Sequence, residues 1–81
     1  MKFEIGDIIK KTNIYNENWI IFKIIKFNKN KYENYDCSGR ILQNNGYFDT
    51  SYNIDEFNFV IYNSGSKIEK ITPKQAFLLM I

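Results

Sequence analysis

The 81-residue chain is predicted to be a small, mainly β domain: five to six short antiparallel strands followed by a short C-terminal helix. Three observations carry that reading. Short runs rich in Ile, Phe, Tyr, Val and Thr suit a pleated, half-buried surface. Asn-, Gly- and Ser-rich steps punctuate them at short intervals. The tail carries a helix start with a proline at its first position, Thr72-Pro73-Lys74-Gln75. At 44% hydrophobic and 25% charged residues, one domain of this size can bury a core.

The first strand is expected over residues 5–12, after Gly6-Asp7, and a polar loop rich in Asn over 12–18. The second strand, 19–27, reads Trp-Ile-Ile-Phe-Lys-Ile-Ile-Lys-Phe. Ile20, Phe22 and Ile24 share a face opposite Lys23, whereas Ile25 and Phe27 share a face opposite Lys26. Strict alternation cannot keep both lysines out and both apolar sets in. A phase slip at Ile24-Ile25 can, so a β-bulge or bend is expected there. Asn28-Lys29-Asn30 reads as a turn, and 31–37 as a third strand that Ser38-Gly39 ends. Asn45-Gly46, between apolar-containing runs, predicts a tight hairpin, because a type I′ turn needs φ > 0 at both central residues.

Asn53 to Glu56 looks like one capped helical turn. A strand over 57–62 follows, with Phe57, Phe59 and Ile61 on one face, then a turn and a short strand over 67–71. Thr72 and Gln75 form a capping box for a helix over about 73–80. Its apolar residues, Ala76 to Ile81, leave almost no polar face, which predicts burial all round. Packing against its own barrel, giving a monomer, is the reading taken; a homodimer through this helix is the alternative. The predicted core is Ile9, Ile20, Phe22, Ile24, Phe48, Phe59 and Ile61.

The opening Phe3-x-x-Gly6-Asp7-x-Ile9 and the long second strand starting at Trp19 resemble small SH3-like barrels of the Tudor and KOW kind. In those folds a Gly-Asp step leads into the first strand, the second strand bends to serve both halves, and a short 3₁₀ turn precedes the last strand. Gly6-Asp7, 19–27 and 53–57 match those roles, and the resemblance covers about residues 3–62. It implies a single small barrel, with the helical tail as an addition that plugs one open end. An OB-like barrel is the rival fold.

The composition excludes several kinds of chemistry. Histidine is absent, which removes the commonest general base and neutral metal ligand. Cys37 is the one cysteine, so no internal disulfide or Cys-rich zinc site can form, and a small buried hydrophobe is its expected role. No catalytic constellation, P-loop, dinucleotide fingerprint or EF-hand loop is visible. No enzyme, cofactor or metal is expected. The charged N-terminus and the short apolar runs predict neither a signal peptide nor a membrane span, hence a cytoplasmic protein with no membrane partner.

Two sets of residues are candidates for binding. Tyr32, Tyr35, Tyr47 and Tyr52, with Trp19, lie in or beside polar, Asn-rich segments. Such residues combine rigid apolar area with adaptable hydrogen bonds, as recognition surfaces do. Lys23, Lys26, Lys29 and Lys31 surround the second turn beside Tyr32, and basic residues among aromatics can hold single strands. Edge-strand solubility is the competing role for those lysines. Net charge is only +2 and Arg40 is the one arginine, which argues against a dedicated phosphate clamp.

Ile, Lys and Asn together make 35 of the 81 residues, and their AT-rich codons point to a low-GC bacterium or its phage. Size and composition resemble phage accessory proteins. The expected function is therefore a non-enzymatic protein-binding module: a stoichiometric inhibitor of a host immune protein, such as an anti-CRISPR. Its partner would be a host protein or protein–nucleic-acid complex. A nucleic-acid-binding barrel using the lysine and tyrosine face is the alternative.

Overall fold

The computed structural model describes residues 3–28, 36–45, 56–61 and 65–81. Five antiparallel strands, β1 (Ile8–Asn13), β2 (Trp19–Phe27), β3 (Cys37–Asn44), β4 (Phe57–Phe59) and β5 (Ser66–Ile71), form one sheet. The strand order is β4-β3-β2-β1-β5, and a single helix, α1 (Pro73–Met80), follows. The sheet is open: β4 and β5 stand at its two edges and do not pair.

The strand expected from residue 5 starts later. Ile5 and Gly6 belong to a turn, with Gly6 at φ 95, a value that glycine adopts without Cβ strain. The Asp7 amide donates to the Glu4 carbonyl, and the Asp7 carboxylate accepts from the Glu4 amide. Gly6 N then donates to Ile24 O and Ile24 N to Asp7 O, so the turn is pinned to the middle of β2. Between β1 and β2, the Asn13 side chain accepts from the amides of Tyr15 and Asn16, an Asx turn.

β2 has the expected bounds and the expected slip: its register with β3 shifts between Ile24 and Lys26. Lys23 and Lys26 both face solvent. The slip does not carry Ile25 and Phe27 into the core, however; they remain 38% and 37% exposed. β1 pairs with β2 only as far as Lys23, so beyond Ile24 the strand is flanked by β3 alone and has less to pack against. A second shift, between Ile21 and Phe22, places an extra residue, Leu42, in β3.

Ser38-Gly39 does not end a strand. Both residues are buried inside β3, which runs on to Asn44. Gly39 serves close approach: a Cβ there would lie 2.7 Å from the Lys23 carbonyl oxygen and 2.9 Å from Phe22 Cδ2. Ser38 is satisfied by donating its hydroxyl to Asn58 Oδ1 at 2.7 Å. Most of the strand expected over 31–37 lies outside the described residues, with Cys37 opening β3; the Asn45-Gly46 hairpin and the turn expected over 53–56 also involve residues outside those described.

Ile9, Ile20, Phe22, Ile24, Phe59 and Ile61 are buried in one cluster with Cys37. Phe48, also expected there, lies outside the described residues. Phe22 and Phe59 stack with ring centroids 3.8 Å apart and planes 4° from parallel. β4 is shorter than the run 57–62 suggested. After Phe59 the chain leaves the ladder and is held by side chains: Asp36 accepts from Ile61 N at 2.8 Å, and Lys11 Nζ donates to Val60 O at 2.6 Å. Ile61 lies in the core all the same.

The capping box of α1 is present. Thr72 Oγ1 accepts from Gln75 N at 3.1 Å, and Gln75 Oε1 accepts from Thr72 N at 2.8 Å. Thr72→Ala is expected to cost about 1 kcal/mol, the usual worth of such a cap, read as a lower urea midpoint at unchanged m-value. Within the chain, α1 is not buried all round as expected. Ala76 alone is buried, while Phe77, Leu78 and Ile81 are 61%, 58% and 83% exposed. α1 touches β3, and an eight-residue helix laid against a sheet has one face to bury. Apolar composition states what would gain from burial, not how much surface exists to cover it. No helix among the described residues is long and apolar enough to cross a membrane.

Candidate functional site

Of the residues expected to bind, Trp19, Lys23 and Lys26 are described; Tyr32, Tyr35, Tyr47, Tyr52, Lys29 and Lys31 lie outside the described residues. The three do not form one patch. Trp19 and Lys26 sit near opposite ends of β2, about 23 Å apart at ~3.3 Å per residue. Trp19 is half-buried, its amide donates to Asn45 Oδ1 at 2.7 Å, and Lys10 Nζ lies 5.5 Å from its ring centre. Lys26 Nζ is 3.0 Å from Glu56 Oε1, and that contact holds the Glu56 carboxyl below its usual range.

Lys23 differs. It lies on the face of β2 opposite Phe22, is exposed, and pairs across the ladder with Arg40 of β3. Two cations therefore stand directly opposite each other. Neither meets a carboxylate among the described residues. Asp7 is held by Glu4 N at 2.7 Å and by Lys70 at 3.1 Å, and Glu56 by Lys26. Lys23 and Arg40 border an open cleft of ≈ 420 Å³ that also takes in Ile5, Gly6, Ile24 and Ile25. A second cleft of ≈ 540 Å³ lies between the Gly6 turn and the start of α1, and contains the Asp7–Lys70 pair.

Sequence reasoning missed Arg40 as a partner of Lys23. Its position depends on β3 continuing through Ser38-Gly39 and on a further register shift between Ile21 and Phe22, neither of which is a local signal. Ile21, opposite Phe22 in facing, is fully buried outside the main cluster, as is Ala76 of α1.

The Asp7 carboxyl is held below its ordinary 3.8, first by the Glu4 amide and also by Lys70, against a smaller opposing effect of burial. A depressed folded value means stability fully present above the unfolded value and lost as pH falls through the folded one. Acid unfolding below about pH 4 should therefore flatten in Asp7→Asn. An acid limb identical to wild type would show that the Gly6 turn does not depend on this charge.

Lys11, on the core face of β1, is half-buried. Burial lowers its pKa, opposed by Asp36 and Cys37. Burial and Asp36 push the Cys37 thiol up to about 11, with Lys11 opposing. It stays protonated at neutral pH. Native protein should resist thiol reagents at pH 8 and react fully in urea, whereas fast native labelling would mean the core is open at Cys37.

No group of three or more His, Cys, Asp or Glu among the described residues could hold a metal ion. Comparison with protein-family models, with curated proteins and with solved structures gives no match.

Proposed function

We propose that the chain is a non-enzymatic protein-binding module on a small SH3-like barrel. It acts as a stoichiometric inhibitor of a bacterial immune protein, of the anti-CRISPR kind, inside the cytoplasm of a phage-infected cell. The observation that carries the binding role is α1. Phe77, Leu78 and Ile81 fall within roughly 100° of one another around the helix axis, and all three face solvent. Capped in place beside a well-packed core, this apolar arc has the character of an interaction surface. The return of β5 to pair with β1 after the β1–β4 meander, and the bulged nine-residue β2, support the SH3-like reading. The phage and anti-defence reading is supported by size and AT-rich codon usage. The nucleic-acid alternative is weaker at Lys26, whose charge is paired with Glu56.

The test is quantitative capture from a low-GC bacterial lysate followed by mass spectrometry. Wild type is compared with Phe77→Asp/Leu78→Asp, its fold checked by circular dichroism. One protein retained near stoichiometrically by wild type and lost from the variant is the expected result. Equal retention by both, or retention of nucleic acid alone with affinity falling steeply above roughly 50 mM salt, would overturn the reading.

A further inference from the structure

We propose that the Lys23–Arg40 cleft is a docking site for a peptide segment in which an acidic residue adjoins a large apolar one. This deepens the protein-binding reading and rests on it. Residues directly opposite on antiparallel strands hold their Cβ atoms about 4.5–5.5 Å apart, and like charges in that position repel. Lys23 and Arg40 occupy such a pair, and both are exposed. On its other side Lys23 faces Ile8, which offers no charge. Among the described residues nothing offsets that repulsion, and an anion placed between the two cations relieves it.

The walls specify the rest of the ligand. Ile5 is 66% exposed and Ile25 is held outward by the bulge at Ile24/Lys26. A Cβ on Gly6 would meet nothing within 4 Å, so the turn leaves the cleft unobstructed. A carboxylate can take the Arg40 fork in bidentate fashion with Lys23 as a second charge, while the neighbouring apolar side chain lies against Ile5 and Ile25. A nucleic acid fits less well. Its bases need ring faces to stack on, and the cleft walls are aliphatic.

The probe is a nine-residue blocked peptide, Gly-Ser-Asp-Leu-Glu-Phe-Asp-Ser-Gly, titrated into the ¹⁵N-labelled full chain and followed by NMR. Saturable shifts centred on Ile5, Lys23, Ile25 and Arg40 are expected. Affinity should fall at least tenfold when the acids become Asn and Gln, and again when Leu and Phe become Ser. Lys23→Glu, which sets opposite charges across the ladder and so preserves the fold, should abolish binding. Binding equal in either control peptide, no saturable binding, or tighter binding of an oligo-dT 20-mer than of the peptide would overturn the proposal. Partner capture by wild type through α1, with no peptide binding at the cleft, overturns this inference alone. Absence of any captured partner overturns the reading beneath it.

Discussion

Phe22→Ala is expected to destabilise the protein by about 3–5 kcal/mol, the range for truncating a buried aromatic ring. Domains of this size have only about 5–15 kcal/mol in total, so much of the variant should be unfolded at modest urea. Phe22 has no exposed surface, lies on β2 between β1 and β3, and stacks face to face on Phe59. The space it would leave is bounded by Ile9, Phe59 and the backbone at Gly39. β1 and β3 are hydrogen-bonded to β2 in fixed register and cannot move in to fill it. Most of the cavity should therefore remain, which puts the cost at the upper end. A urea midpoint that translates to less than about 1 kcal/mol would mean that the ring is not the centre of the core.

What could be read from sequence followed from local physics. Lys23 and Lys26 on one short apolar strand demanded a phase slip, and the register shift is where those two residues required it. Thr72, Pro73 and Gln75 carry a helix start in adjacent positions, and both capping hydrogen bonds form. Alternation alone placed Ile20, Phe22, Ile24, Phe59 and Ile61 inside. Failures arose where a residue answers to a distant one. Ser38-Gly39 looks like a stop because glycine weakens strands, yet this glycine is dictated by a ring and a carbonyl fifteen or more positions earlier. Phe77 and Leu78 look like core because they are apolar, but burial needs a partner surface, and α1 meets one only along the Ala76 side.

The site was less legible than the fold for the same reason. Lys23 can be called exposed from its own strand. That it faces Arg40 depends on strand pairing, two bulges and a glycine within β3. The charge pair across the cleft is a property of register, and register is non-local information. Lys26, which by composition looked equivalent to Lys23, is neutralised by Glu56, thirty positions away. Two lysines three residues apart thus acquire opposite roles through their neighbours on other strands.

Gly39→Ala is expected to be the other severe substitution, at about 1–3 kcal/mol or more, by overpacking rather than by cavity formation. No unusual φ is involved, so the penalty is steric. The added methyl would stand 2.7 Å from the Lys23 carbonyl oxygen and 2.9 Å from Phe22 Cδ2, both closer than real Cβ atoms approach. The two obstacles differ in how they can yield. A ring edge can rotate, but Phe22 is clamped on its other side by Phe59 at 3.8 Å. The carbonyl belongs to the β2–β3 ladder at the Lys23–Arg40 pair, and moving it breaks the sheet beside the bulge. The strands must therefore separate locally or the ring must leave its stack. A double-mutant cycle separates these costs. If the ring carries part of the clash, Gly39→Ala should cost less in a Phe22→Leu background than in wild type, with a coupling of about 0.5–3 kcal/mol for residues in contact. Strict additivity would assign the penalty to the Lys23 carbonyl alone. A Gly39→Ala midpoint equal to wild type would show that β2 and β3 lie farther apart than this packing requires, and the placement of Arg40 opposite Lys23 would fall with it.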